Sequence, residues 1–167
     1  MTQKKRGNLS GWLSYTWQNV NHQFDLYGPD PFPASHDITH EFKSINTYKF
    51  KDWTFSAVWI YGTGKAYTAP LGAYELNLPD GSTHDYITIG DKNSFRLPDY
   101  HRLDLSAQLK INMGNLGIGN LGLSLFNVYN RKNVWYKQYE VLEGELIETD
   151  VNLLGFTPNI FFSINLN

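Results

Sequence analysis

Residues Arg102 to Asn112 read RLDLSAQLKIN. Leu103, Leu105, Ala107, Leu109 and Ile111 fall on one parity. Arg102, Asp104, Ser106, Gln108, Lys110 and Asn112 fall on the other. Side chains of a strand alternate between its two faces, so unbroken alternation predicts one strand with a dry face and a wet face. A soluble sheet hides such leucines under a second layer. A membrane barrel turns them outward to lipid and turns the polar set inward.

Five more segments alternate. Asn8 to Gln23 puts Leu9, Leu13, Tyr15 and Trp17 together, with Trp12 as an exception. Ile38 to Phe50 sets Ile38, Phe42, Tyr48 and Phe50 against Thr39, Glu41, Lys43, Thr47 and Lys49. Trp53 to Tyr61 aligns Trp53, Phe55, Ala57, Trp59 and Tyr61. Leu121, Leu123, Leu125 and Tyr129 mark the fifth, and Ile160, Phe162, Ile164 and Leu166 the sixth. No segment keeps a helical period, so the expected class is all-β, one antiparallel up-and-down sheet spanning residues 1–167.

The connections point the same way. A tight turn at Lys51-Asp52 joins strands two and three, and MGNLGIGN joins four and five. The other connections are long: Asp25 to Ser35, Thr68 to about Asp99, and Asn130 to Pro158. Outer-membrane barrels have short turns at one end and long loops at the other. Soluble domains keep most connections short. The last long connection reads as a hairpin turning at Glu143-Gly144-Glu145.

Composition narrows the class. Net charge is −2, which leaves no field for nucleic acid. There is no cysteine, so disulfides and thiolate metal sites are excluded. Aromatics reach 16%, which favours strands. Trp12, Trp17, Trp53, Tyr61, Tyr67, Tyr129 and Trp135 gather near strand ends, as interfacial girdles do and as ordinary β propensity alone would also allow. The basic start, MTQKKRGNLSGW, is followed by no apolar core of a signal peptide.

Six strands cannot close a membrane barrel, since bacterial barrels begin at about eight. Each open edge would expose roughly ten backbone groups, each costing several kcal/mol in lipid. A membrane reading therefore makes this chain part of a larger barrel.

Specific residues carry a resemblance. FRLPDYHRLDLSAQLKI, YGTGKAYTAPLGAYE and LSLFNVYNRKN resemble the C-terminal barrel of TonB-dependent outer-membrane receptors of the Bacteroidetes type. Arg96, Pro98, Tyr100, His101, Arg102, Leu103 and Asp104 match the segment entering a late strand. Tyr61, Gly64, Tyr67, Thr68 and Pro70 match a strand-to-loop exit. Asn127, Tyr129 and Asn130 match the penultimate-strand motif, and Asp37 and His40 match a weaker one, with Ile38 and Thr39 where basic residues are common.

The resemblance implies the last six strands of a barrel of about 22 strands closed around a plug. It implies an outer-membrane location, contact with lipid, and energised uptake of an iron chelate, cobalamin or glycan. The TonB complex would act through a plug outside this sequence. Leu103, Leu105, Ala107, Leu109, Ile111, Ile160, Phe162, Ile164 and Leu166 would face lipid. The family usually ends in an aromatic residue, whereas this sequence closes on Leu166 and Asn167.

Chemistry-bearing residues give little. His36 and His40 on one strand would stand about 13 Å apart, too far for one ion. Arg102 and Asp104 read as a polar pair on the lumen face. Glu140, Glu143, Glu145, Glu148 and Asp150 make the last hairpin acidic, a solvated face or a site for cations. GTGK lacks the spacing of a P-loop. No nucleophile–base set appears, so no enzyme and no cofactor is expected. The rivals are a soluble lipocalin-type barrel holding an apolar ligand, and a carbohydrate-binding β-sandwich.

Overall fold

The structure is a computed structural model that describes residues 2–142 and 144–166. Its strands in chain order are β1 (Thr2–Arg6), β2 (Leu9–Trp17), β3 (Asn21–His22), β4 (Phe32–Pro33), β5 (His40–Phe50), β6 (Trp53–Gly62) and β7 (Ala66–Tyr67). There follow β8 (Pro70–Asn77), β9 (Thr83–Ile89), β10 (Phe95–Arg96), β11 (Tyr100–Asn112), β12 (Ile118–Phe126), β13 (Val134–Leu142), β14 (Glu145–Asn152) and β15 (Thr157–Asn165). The protein is all-β. Seven strands form one antiparallel meander in the order β1-β2-β5-β6-β11-β12-β15.

Six of the seven are the alternating segments, with trimmed ends. Ile38 and Thr39 precede β5, Tyr129 lies beyond β12, and Leu166 lies beyond β15. The seventh, β1, is a correction to the six-strand expectation. It pairs with β2 from Thr2↔Leu13 to Arg6↔Leu9. Thr2, Lys4 and Arg6 thus take register positions in the apolar rows, so β1 extends the sheet without extending its apolar band.

The tight turns share one end. Gly7-Asn8 and Lys51-Asp52 are two-residue turns, and Gly7 and Lys51 adopt φ of 58° and 53°. Such left-handed positions suit the twist of a hairpin. Residues 113–117 turn from β11 to β12. The opposite end carries everything long. Residues 70–89, expected as loop, form the hairpin β8–β9, and β13–β14 is the expected acidic hairpin. Of its predicted turn, Glu143 lies outside the described residues.

Register aligns the parities. One row runs Phe50–Trp53–Leu109–Leu121–Phe162, and another Leu9–Tyr48–Phe55–Ala107–Leu123–Ile160. No second layer among the described residues covers this face. Among the described residues the buried apolar side chains are Ala34, Ala66 and Ala69. A soluble chain of this length would bury roughly two-thirds of its surface around a core. Here Leu105, Phe162, Ile160 and Leu166 are 37%, 55%, 74% and 76% exposed. Ile164 is also exposed, while Leu103, Ala107, Leu109 and Ile111 are half-buried by their neighbours in the sheet.

The opposite face is mixed. Trp12 pairs with Ile45, Ile45 with Val58 and Val58 with Asp104, all half-buried. The exceptional Trp12 thus belongs to an apolar island on the polar face. Beside it Arg102 lies 3.9 Å over the Phe126 ring and 2.9 Å from Asp104.

Candidate functional site

The residues singled out by sequence converge on the long-loop end, where strands exit. Asp37 is 1% exposed in the turn entering β5. Its Oδ2 accepts from Arg96 Nη2 at 2.5 Å and Thr39 Oγ1 at 3.2 Å, and its Oδ1 accepts from Val20 N–H at 3.0 Å. Burial pushes the Asp37 carboxyl up, but the Arg96 guanidinium and the Val20 N–H outweigh it, and the result lies below the usual 3.8. Arg96 also donates to the Gly64 carbonyl at 3.0 Å. One ion pair thereby ties the β4–β5 connection, the exit of β6 and the entry to β11.

Gly64 is packed against backbone. A Cβ there would stand 1.5 Å from the Leu97 carbonyl oxygen. Its N–H donates to Asp99 Oδ1 at 3.1 Å, and the Tyr61 hydroxyl donates to Asp99 Oδ2 at 2.6 Å. Tyr67 pairs with Phe95 across the β7–β10 ladder, and Pro70 opens β8. Pro98 lines a recess beneath β13.

The third knot closes β12. Asn127 is fully buried with φ 52°. Its N–H donates to Asp104 Oδ1 at 2.9 Å. Its amide donates to the Arg131 carbonyl at 2.8 Å and accepts from the Arg131 N–H at 3.1 Å. Asn130, φ 53°, accepts from the Phe156 N–H at 2.8 Å. The short amide side chain is what lets asparagine take this conformation and close its own turn.

On the apolar face at the same end stand two His–Tyr pairs. His40 Nδ1 lies 2.8 Å from the Tyr15 hydroxyl, and His101 Nδ1 lies 2.9 Å from the Tyr129 hydroxyl. With Trp17, Trp59 and Tyr61 they form an aromatic rim. Tyr48, Phe50, Trp53 and Phe55 form another near the tight turns. From Trp53 to Tyr61 the strand rises about 26 Å, or about 20 Å allowing for barrel tilt.

Two asparagines escaped the sequence reading. Asn133 takes the N–H of His101 at 3.1 Å and donates to its carbonyl at 3.0 Å. Asn93, φ 54°, donates to the Pro33 carbonyl at 2.7 Å and receives the Thr68 hydroxyl at 3.3 Å. Each bonds a segment far away in sequence, so no local pattern marks it.

The remaining candidates separate. His36 lies off the strands and packs edge-on against His22 at 6.0 Å, not with His40. Lys137 pairs with Glu148 and, at 3.1 Å, with Asp150. Lys137 and Tyr139 hold the Glu148 carboxyl below its usual range. The hairpin supplies its own cation there. Glu140 accepts from Gln138 at 2.9 Å. No group of three or more metal-ligating side chains stands together among the described residues.

Comparison with protein-family models, curated proteins and solved structures matches none of them.

Proposed function

We propose that this chain is a wall of an outer-membrane β-barrel of the TonB-dependent receptor type. In that role it contributes lipid-facing strands and outer loops to a pathway for energised uptake of a scarce ligand. The observation that carries the reading is the uncovered apolar face, bounded by aromatic rims, on a meander whose tight turns all lie at one end. Lipid is a solvent in which such a face needs no second layer. The motif residues support it in another way. They are hydrogen-bonded joints that set the angles at which loops leave the strands.

The sheet is open, with β1 and β15 as its edges among the described residues. In lipid these edges require further strands, because unpaired backbone groups cost several kcal/mol each. A lipocalin-type barrel would instead close and seal the leucines within. Whatever completes the barrel would carry the plug and the grip for TonB.

The test is orientation of the complete protein in intact cells. Epitope tags placed between Asn77 and Thr83, or within residues 130–158, bind antibody from outside. A tag within residues 114–120 stays hidden until the membrane is opened. The reverse pattern, or a tagged chain recovered in the soluble fraction, would sink the proposal.

A further inference from the structure

At the loop end of the polar face lies a recess of about 280 Å³. Ile38, Ile60 and Leu97 line it on one side, and Val134, Trp135 and Leu153 at the base of β13–β14 on the other. Its size falls just below the range of small-molecule sites, roughly 300–1,000 Å³, which suits a small ligand. Trp135 is 62% exposed, so a large aromatic surface stands ready at the rim.

The polar groups in the lining are unequal in what they have left to offer. The Glu41 carboxylate is engaged by Lys43 at 2.7 Å. The Tyr100 oxygen accepts from Arg102 Nη1 at 2.9 Å, which leaves its own proton to donate. Lys65 is exposed and forms no ion pair among the described residues, whereas Lys43, Arg96, Arg102 and Lys137 all do. Its backbone is fixed, since its carbonyl accepts from the Leu97 N–H at 2.9 Å. The Thr63 oxygen likewise accepts, from the His40 N–H at 3.1 Å, and keeps its proton. The recess thus offers one unneutralised cation, two hydroxyl donors and an apolar lining.

We infer that this recess binds a small amphipathic monoanion, a carboxylate with an apolar or aromatic body. Lys65 and Tyr100 receive the carboxylate, and the body lies against Ile60, Leu97 and Trp135. A cation would meet Lys65 uncompensated. A neutral apolar molecule would leave Lys65 and Tyr100 without new partners. This deepens the uptake reading and rests on it in placing the recess on the outer side of the membrane.

The test uses outer-membrane vesicles from cells producing the complete protein, against vesicles from cells lacking it. The probe is a fluorophenyl-butanoate, with the matching alcohol and amine as controls, each titrated by fluorine NMR. The acid should bind at least about tenfold more tightly than the alcohol, and the amine should not bind; tenfold is about 1.4 kcal/mol. Lys65→Met should reduce the acid to the affinity of the alcohol. Retained alcohol binding in that variant shows that the recess is still formed. Equal binding of acid and alcohol, an unchanged acid affinity in Lys65→Met, or no binding of the acid would each overturn the inference. An immunoblot of the fractions tests the membrane reading separately. If the chain lies outside the membrane fraction that reading fails, and the same titration on the fraction holding it still decides the recess.

Discussion

Asp37 joins three segments through one carboxylate, so its loss should be felt as loosened loops. Asp37→Asn keeps the shape but leaves Arg96 unpaired. With Arg96 still partly solvated, the expected cost is about 1–3 kcal/mol, below that of a fully buried pair. Limited proteolysis of residues 18–39 would report it as faster cleavage. The pH dependence has a definite sign. The Asp37 carboxyl titrates below 3.8 in the folded chain. Its contribution is whole above that value and is lost as pH falls through the lower folded-state one. The difference between wild type and Asp37→Asn should therefore vanish in strong acid. A difference that persists or grows there would show that the charge is not what holds the loops. Gly64→Ala should be harsher, above about 3 kcal/mol, because backbone and not a flexible side chain blocks the new methyl. The motif positions were visible in the sequence, but their partners were not. Asp37 finds Arg96 across 59 residues, and Asn133 grips His101 across 32.

Turns and hairpins were legible where local chemistry forces them. Alternation located six strands because each keeps its apolar residues on one face. It missed β1 because Thr2–Arg6 has no apolar residue, and only pairing with β2 makes it a strand. The hairpin β8–β9 was missed despite a turn signal at Pro79-Asp80-Gly81. Asp80 accepts from the Ser82 N–H at 2.9 Å and the Ser82 hydroxyl at 2.7 Å, while Gly81 takes φ 84°. Leu71 and Ala73 fall on one parity and Tyr74 and Leu76 on the other, so the alternation is broken, which is why its strands passed for loop. At the opposite end Lys51 holds φ 53° with a full side chain. Lys51→Gly should relieve that strain and stabilise the β5–β6 turn by about 0.5 kcal/mol, net of the entropy that glycine adds to the unfolded chain. A lower midpoint in a refolding titration would show that the Lys51 side chain does more than tolerate the turn; its ammonium lies 5.5 Å from the Phe50 ring.

Among the described residues the whole sheet has two open edges, one uncovered apolar face and almost no core. In water such a molecule should associate through its edges and its leucines. The chain alone should therefore need detergent, and a monodisperse monomer melting cooperatively without it would favour a closed soluble barrel. A wall of a membrane barrel requires lipid to cover the face on which Leu103, Leu105, Ala107, Leu109 and Ile111 stand. The chain has no cysteine, so single cysteines from Leu103 to Ile111 can carry spin labels without background. The measurement compares collisions with oxygen, which partitions into lipid, and with a water-soluble nickel chelate, in the complete protein in membranes. Labels at the odd positions should meet oxygen and be shielded from nickel, while Asp104, Ser106, Gln108 and Lys110 should not share that signature. Odd positions protected from both reagents would mean that protein, not lipid, covers the leucines, and would overturn the membrane reading.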